Sequence, residues 1–189
     1  MKYFKQLLVS LAMLSMVFVG ACSSGGTSAP DQSDVNFEFQ QLIIDLETLV
    51  GDVGFFNITD CASLEAAINA LAGSVICDIS GSSTITISNF TCSEGPPLTA
   101  SFNISEDDEV CEDSDEFSNG ILNATVTFDG TNVVFNVSSN GFTAEDLTFT
   151  FNGLVVTINS SLISSCSGSG DVNGESCSAN SDCSGCTLQ

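Results

Sequence analysis

Two segments, ILNATVTFDGTNVVFNV (121–137) and LTFTFNGLVVTIN (147–159), alternate apolar and polar residues on both sides of an Asp-Gly or Asn-Gly dipeptide. Alternation with period two puts one class of side chain on each face of a strand. Asp129-Gly130 and Asn152-Gly153 are the dipeptides favoured in two-residue hairpin turns. Folding the first segment with Phe128 opposite Thr131 pairs Val126 with Val133, Ala124 with Phe135 and Leu122 with Val137. Folding the second with Phe151 opposite Leu154 pairs Phe149 with Val156 and Leu147 with Ile158. Both turns set apolar against apolar, and a one-residue slip destroys the match. TVTFDG and TFTFNG also recur 23 residues apart, which suggests a duplicated hairpin.

The same period starts earlier, in TITIS (84–88) and in LTASFNIS (98–105), where Leu98, Ala100, Phe102 and Ile104 share a face. One face of such a sheet is apolar and the other Asn/Thr/Ser, as in an antiparallel sheet wet on one side. The apolar face needs a cover. Phe39, Leu42, Ile43, Leu46, Leu49, Val50 and Val53 recur at helical steps, with Ser33 or Asp34 available as a cap and Gly51 as an end. In CASLEAAINALAG, Leu64, Ile68 and Leu71 form a second stripe, stopped by Gly73. The expected fold class is α+β: a single folded domain over 35–165, an antiparallel β-meander or hairpin sheet with two N-terminal helices covering one face, stapled by disulfides. An all-β sandwich is the alternative.

There are nine cysteines. Cys61, Cys77, Cys92, Cys111, Cys166, Cys177, Cys183 and Cys186 lie in the body, an even number that reads as four disulfides in an exported chain. A helix advancing from Cys61 and a return strand after Gly73 favour Cys61–Cys77, with Cys92–Cys111 next. The last four would pair among themselves and fasten the Cys-rich tail 166–189, too poor in apolar residues to fold alone. Zinc or redox chemistry at Cys183-Ser-Gly-Cys186 is the rival, and no cationic neighbour favours thiolate there.

Cys22 stands apart. Lys2 and Lys5 precede a mostly apolar run from Leu7 to Val19. That run is too short to cross ~30 Å of hydrocarbon as a helix and suits a signal peptide ending in small residues. At its end Val19-Gly20-Ala21-Cys22 resembles the lipobox of bacterial lipoproteins. The resemblance implies a signal peptide over 1–21 and a Cys22 carrying palmitate-type acyl chains, with membrane attachment. Residues 22–34, rich in Ser and Gly, then read as the lipidated cysteine and a flexible tether. The non-acidic Ser23 leans towards the outer membrane, at its periplasmic face or surface, by analogy with enterobacterial lipoproteins.

Removing 1–21 also removes every Lys, Tyr and Met, and the chain has no Trp or His. All 24 acidic residues remain, with no opposing side chain. No Ser–His pair or Schiff-base lysine is then available, and nothing can clamp a phosphate. A surface this acidic repels nucleic acid; cationic proteins or peptides and divalent cations are the favourable partners. SEDDEVCEDSDE (105–116) is expected to form an acidic loop, with Glu106, Asp107, Asp108, Glu109, Glu112, Asp113, Asp115 and Glu116 as candidate metal ligands. Ca²⁺ suits carboxylate oxygens, although the spacing matches no EF-hand and no other cofactor is implied. The leading expectation is a non-enzymatic envelope lipoprotein with a structural or interaction role. The alternative is a module binding Ca²⁺ or cationic ligands through 106–116. A hydrolase working with two carboxylates is the third.

Overall fold

The computed structural model describes residues 29–77, 79–112, 117–162 and 164–189. Helix α1 (Gln32–Val53) is capped by Asp31, which accepts from the Ser33 amide at 2.8 Å, and closes at Gly54, whose amide donates to Val50 at 3.1 Å. The cap thus lies ahead of Ser33, and the end lies beyond Gly51. The apolar stripe runs one more turn to Val53, and Gly54 takes the left-handed position that terminates it. Val35, Phe39, Ile43, Leu46, Val50 and Val53 are buried. Helix α2 (Cys61–Asn69), capped by Asp60, buries Leu64 and Ile68.

Among the described residues eleven strands follow and form one sheet. They are β1 (Gly73–Ile76), β2 (Ser80–Ser93), β3 (Thr99–Glu112), β4 (Phe117–Phe128), β5 (Asn132–Ser139), β6 (Phe142–Ala144), β7 (Leu147–Asn159), β8 (Ser164–Ser167), β9 (Ser169–Val172), β10 (Glu175–Ala179) and β11 (Cys186–Leu188). The main path β1-β2-β3-β4-β5-β7-β9-β10-β11 runs in chain order, β6 pairs with β4 and β7, β8 pairs with β7, and every pairing is antiparallel. This is an α+β meander with helices on one face, not a two-sheet sandwich.

The covered face carries Phe102, Val126, Phe128, Val133, Phe135, Phe149, Phe151 and Val156, all buried with the helical stripes in one core. Phe55, in the connection between the helices, lies 6.3 Å from Phe102 and 5.6 Å from Phe128 between ring centres. Phe39 meets Phe151 edge-on at 6.3 Å. On the opposite face Asn123, Thr125, Thr127 and Asn136 are exposed, so the sheet is wet on one side.

The first hairpin forms two residues out of the expected register. Phe128 pairs with Val133, Val126 with Phe135 and Ala124 with Val137. Gly130 and Thr131 are the tip, because Asp129 sits below it as a polar clamp. Its carboxylate accepts from the amides of Thr131 (2.9 Å) and Asn132 (2.7 Å), while its own amide donates to the Asn132 carbonyl (3.1 Å). Gly130 supplies the positive φ (90°) at the first tip position. A shift of two keeps every side chain on its face, so the apolar pattern survives it.

The second expected hairpin does not form. Strand β7 runs straight through Asn152-Gly153, and the chain reverses instead at Glu145-Asp146, where Ala144 pairs with Leu147. Gly153 is a bulge: the ladder passes from Val137–Leu154 to Ser138–Asn152. Its φ of 98° serves a bulge as well as a turn. The next strand breaks at the same level, at Gly168 (φ 120°), where a Cβ would stand 2.6 Å from the Gly153 carbonyl oxygen. Ser139 closes the gap, donating to the Phe149 carbonyl (2.9 Å) and accepting from the Phe151 amide (3.0 Å).

Candidate ligand groove and the acidic strand

Four disulfides join Cys61–Cys92, Cys77–Cys111, Cys166–Cys183 and Cys177–Cys186. The last four cysteines pair among themselves, as expected. The expected Cys61–Cys77 and Cys92–Cys111 pairs are exchanged, because the chain does not turn back at Gly73. There it zips onto β2, from Gly73–Ile85 to Ile76–Ser82, and carries Cys77 away from Cys61 towards the far end of β3. Cys183 and Cys186 bond to different partners, so Cys183-Ser-Gly-Cys186 is not a redox pair in this structure. Four disulfides mark a protein that folds in an oxidising, extracytoplasmic compartment. Cys22 and the lipobox-like stretch lie outside the described residues, and no helix among the described residues is long and apolar enough to cross a membrane.

The acidic stretch is a strand where a loop was expected. Residues up to Glu112 belong to β3, paired on both edges: Asp107 faces Thr84 and Ile121, and Glu109 faces Ser82. Two ladders satisfy its backbone, and that outweighs the poor strand propensity of Asp and Glu. Alternation then divides the acids. Asp107 and Glu109 are exposed, whereas Asp108 is buried, with one carboxylate oxygen lacking a hydrogen-bond partner. Glu106 is half-buried and accepts from the Ser83 hydroxyl at 3.3 Å; Glu112 accepts from Ser80 at 3.1 Å. Asp113, Asp115 and Glu116 lie outside the described residues. Among the described residues no three potential ligands converge as a metal site.

The carboxyls held below their usual range serve caps and turns. Asp31 is lowered by the Ser33 hydroxyl and amide, Asp60 by the Ser63 amide and hydroxyl, and Asp182 by the Ser184 hydroxyl and amide. Asp129 is lowered furthest, to about 2, chiefly by the Thr131 amide. Each of these shifts belongs to local structure.

A groove of about 160 Å³ opens between α1 and the covered face of β2–β6. Its walls are apolar: Leu42, Leu46 and Leu49 from the helix, Ile85, Ile104, Leu122, Phe135 and Val137 from the sheet, and Phe142 and Ala144 from β6. Glu38, Gln41 and Asp45 border it along α1, with Glu106 and Ser118 on the strands. In the sequence Leu42 and Leu49 read as core, because periodicity gives a direction and not a depth. They lie on the flank of the stripe, where α1 stands off the sheet, and stay partly exposed. Among the described residues, Glu106 is the one expected metal-ligand candidate that reaches the groove. No family model, curated protein or solved structure matches this chain.

Proposed function

We propose that this chain is a bacterial envelope lipoprotein, held on the outer membrane by acyl chains on Cys22 and acting by non-enzymatic interaction. The observation that carries the reading is the cysteine balance. All eight cysteines of the body are joined in pairs, which leaves Cys22 alone at the end of Val19-Gly20-Ala21-Cys22. Two or three acyl chains anchor stably where one is marginal. A body without Lys, Arg or His lacks the usual bases and nucleophile partners, which supports binding over catalysis. Metabolic labelling with an alkyne palmitate analogue, followed by fractionation, tests the anchor. The native chain takes up label and sediments with the outer membrane, and Cys22→Ser loses both. A Cys22→Ser chain that stays with the membrane overturns the reading.

A second reading, divalent-cation binding at β3, is favoured by the unpartnered oxygen of buried Asp108 beside Glu106. A cation there would supply the missing partner. Millimolar CaCl₂ then raises the melting temperature of the native protein more than an equal ionic strength of NaCl does, and Asp108→Asn removes the difference. Equal effects of the two salts dispose of it.

A further inference from the structure

We propose that Asn140-Gly141, in the turn between β5 and β6, is a site of spontaneous modification at which Asn140 becomes aspartate or isoaspartate. Neither the anchor nor the interaction role is needed for it.

The chain holds four Asn-Gly pairs, at Asn119, Asn140, Asn152 and Asn173, and all four asparagines are exposed. Glycine has no Cβ to screen its amide nitrogen, so each pair is open to the same chemistry. Exposure does not separate them, but restraint does. Asn119 lies in β4 opposite Thr143, and its side-chain oxygen accepts from the Val110 amide at 3.2 Å. Asn152 pairs with Ser138 in the β5–β7 ladder. The Asn173 side chain accepts from the Thr148 amide at 2.8 Å and donates to the Asp146 carbonyl at 3.4 Å. Among the described residues the Asn140 side chain has no hydrogen-bond partner, and residues 140–141 lie outside every ladder.

The two ends of this turn are fixed. Ser139 bonds two backbone groups of β7, and Phe142 pairs with Phe149. Between them Gly141 takes a φ of 83° in open space, where a Cβ would meet its nearest neighbour at 3.8 Å. Asn140 can therefore rotate its side chain towards the next amide without breaking a hydrogen bond.

The Gly141 nitrogen, deprotonated by hydroxide, attacks Asn140 Cγ. The new N–Cγ bond closes a succinimide, the Cγ–Nδ2 bond breaks, and ammonia leaves. Water then opens the ring at Cγ, giving aspartate, or at the main-chain carbonyl, giving isoaspartate. No electron is exchanged and no side-chain base is required. Isoaspartate lengthens the main chain by one carbon just ahead of β6. There the Gly141 carbonyl packs closely on β4: its oxygen would stand 3.0 Å from a Cβ on Gly120. The added length falls on this contact.

The test incubates full-length protein in nonionic detergent at pH 8 and 37 °C, beside the same chain unfolded in guanidinium with its cystines reduced. No Lys or Arg follows Lys5, so peptides are made with pepsin at acid pH. Electron-transfer fragmentation then distinguishes amide, aspartate and isoaspartate at each site. In the folded protein Asn140 should convert about tenfold faster than Asn119, Asn152 or Asn173, since local restraint sets the rate. In the unfolded chain the four rates should fall within about threefold of one another. Aged protein should exchange the β6 amides faster than Asn140→Asp protein, whose main chain keeps its length. Equal rates at the four folded sites overturn the site, as does an Asn140 that survives while the unfolded chain reacts. A preference for Asn140 that persists after unfolding overturns the structural cause.

Discussion

The centre of the sheet and its last quarter share one hydrogen-bonded ladder but are held by different means. Strands β3–β7 bury Phe102, Val126, Phe135, Phe149, Leu154 and Ile158 under two helices. From Ser164 onward, Val172 is the one fully buried apolar side chain apart from Cys166, Cys177, Cys183 and Cys186. Two disulfides take over there, and α1 is tied down by polar contacts: Gln32 donates to the Cys186 carbonyl (2.7 Å) and accepts from the Leu188 amide (2.9 Å). Gln40 donates to the Ser184 carbonyl at 2.6 Å. The lesson is that a ladder propagates a sheet past the point where apolar burial can hold it, provided covalent links replace the core.

This contrast can be broken in several places. Phe135→Ala, in the centre, should cost about 3–5 kcal/mol and lower stability equally in oxidised protein and in protein with reduced cystines. Denaturant titration in both redox states measures it. Replacing Cys177 and Cys186 by Ser should cost about 2–3 kcal/mol for a loop this short. Amide exchange should then quicken in β9–β11 and stay slow in β4 and β5. Uniform quickening would mean that the two regions are one cooperative unit. Gly168→Ala, at the junction, should cost about 1–3 kcal/mol, since φ is positive and the Gly153 carbonyl blocks a Cβ. A neutral Gly168→Ala would mean that the kink is not needed.

Two smaller effects sharpen the picture. Asp129→Ala should cost about 1 kcal/mol at pH 7, the exposed clamp being partly replaced by water. The folded carboxyl sits at about 2, below its unfolded 3.8. Its contribution is therefore complete above about pH 4 and disappears as pH falls through 2. Native and Asp129→Ala melting curves should converge across that window. Salt should act most weakly, raising the melting temperature by about 1–2 °C between 10 mM and 0.5 M NaCl as it screens the unopposed acids. A flat response would show that self-repulsion does not strain the fold.

By itself the sequence determined which residues face the core, the two helical stripes, the antiparallel sheet and the even set of cysteines. Each depends on local periodicity or on a count. It did not determine what a glycine dipeptide does. TVTFDG ends in a turn, while the nearly identical TFTFNG continues as a strand. Both take positive φ at glycine; the difference is that the residues after Gly153 find partners in β5 and β8, whereas residues 129–131 belong to no ladder. Disulfide partners followed the same logic, since β1 chose the edge of β2 over a return towards Cys61. The acids of β3 were legible as acids but not as a strand, because paired neighbours supplied what propensity withheld. The groove belongs wholly to tertiary structure. Its leucines carry the core's period, and only the angle at which α1 meets the sheet left part of that stripe uncovered.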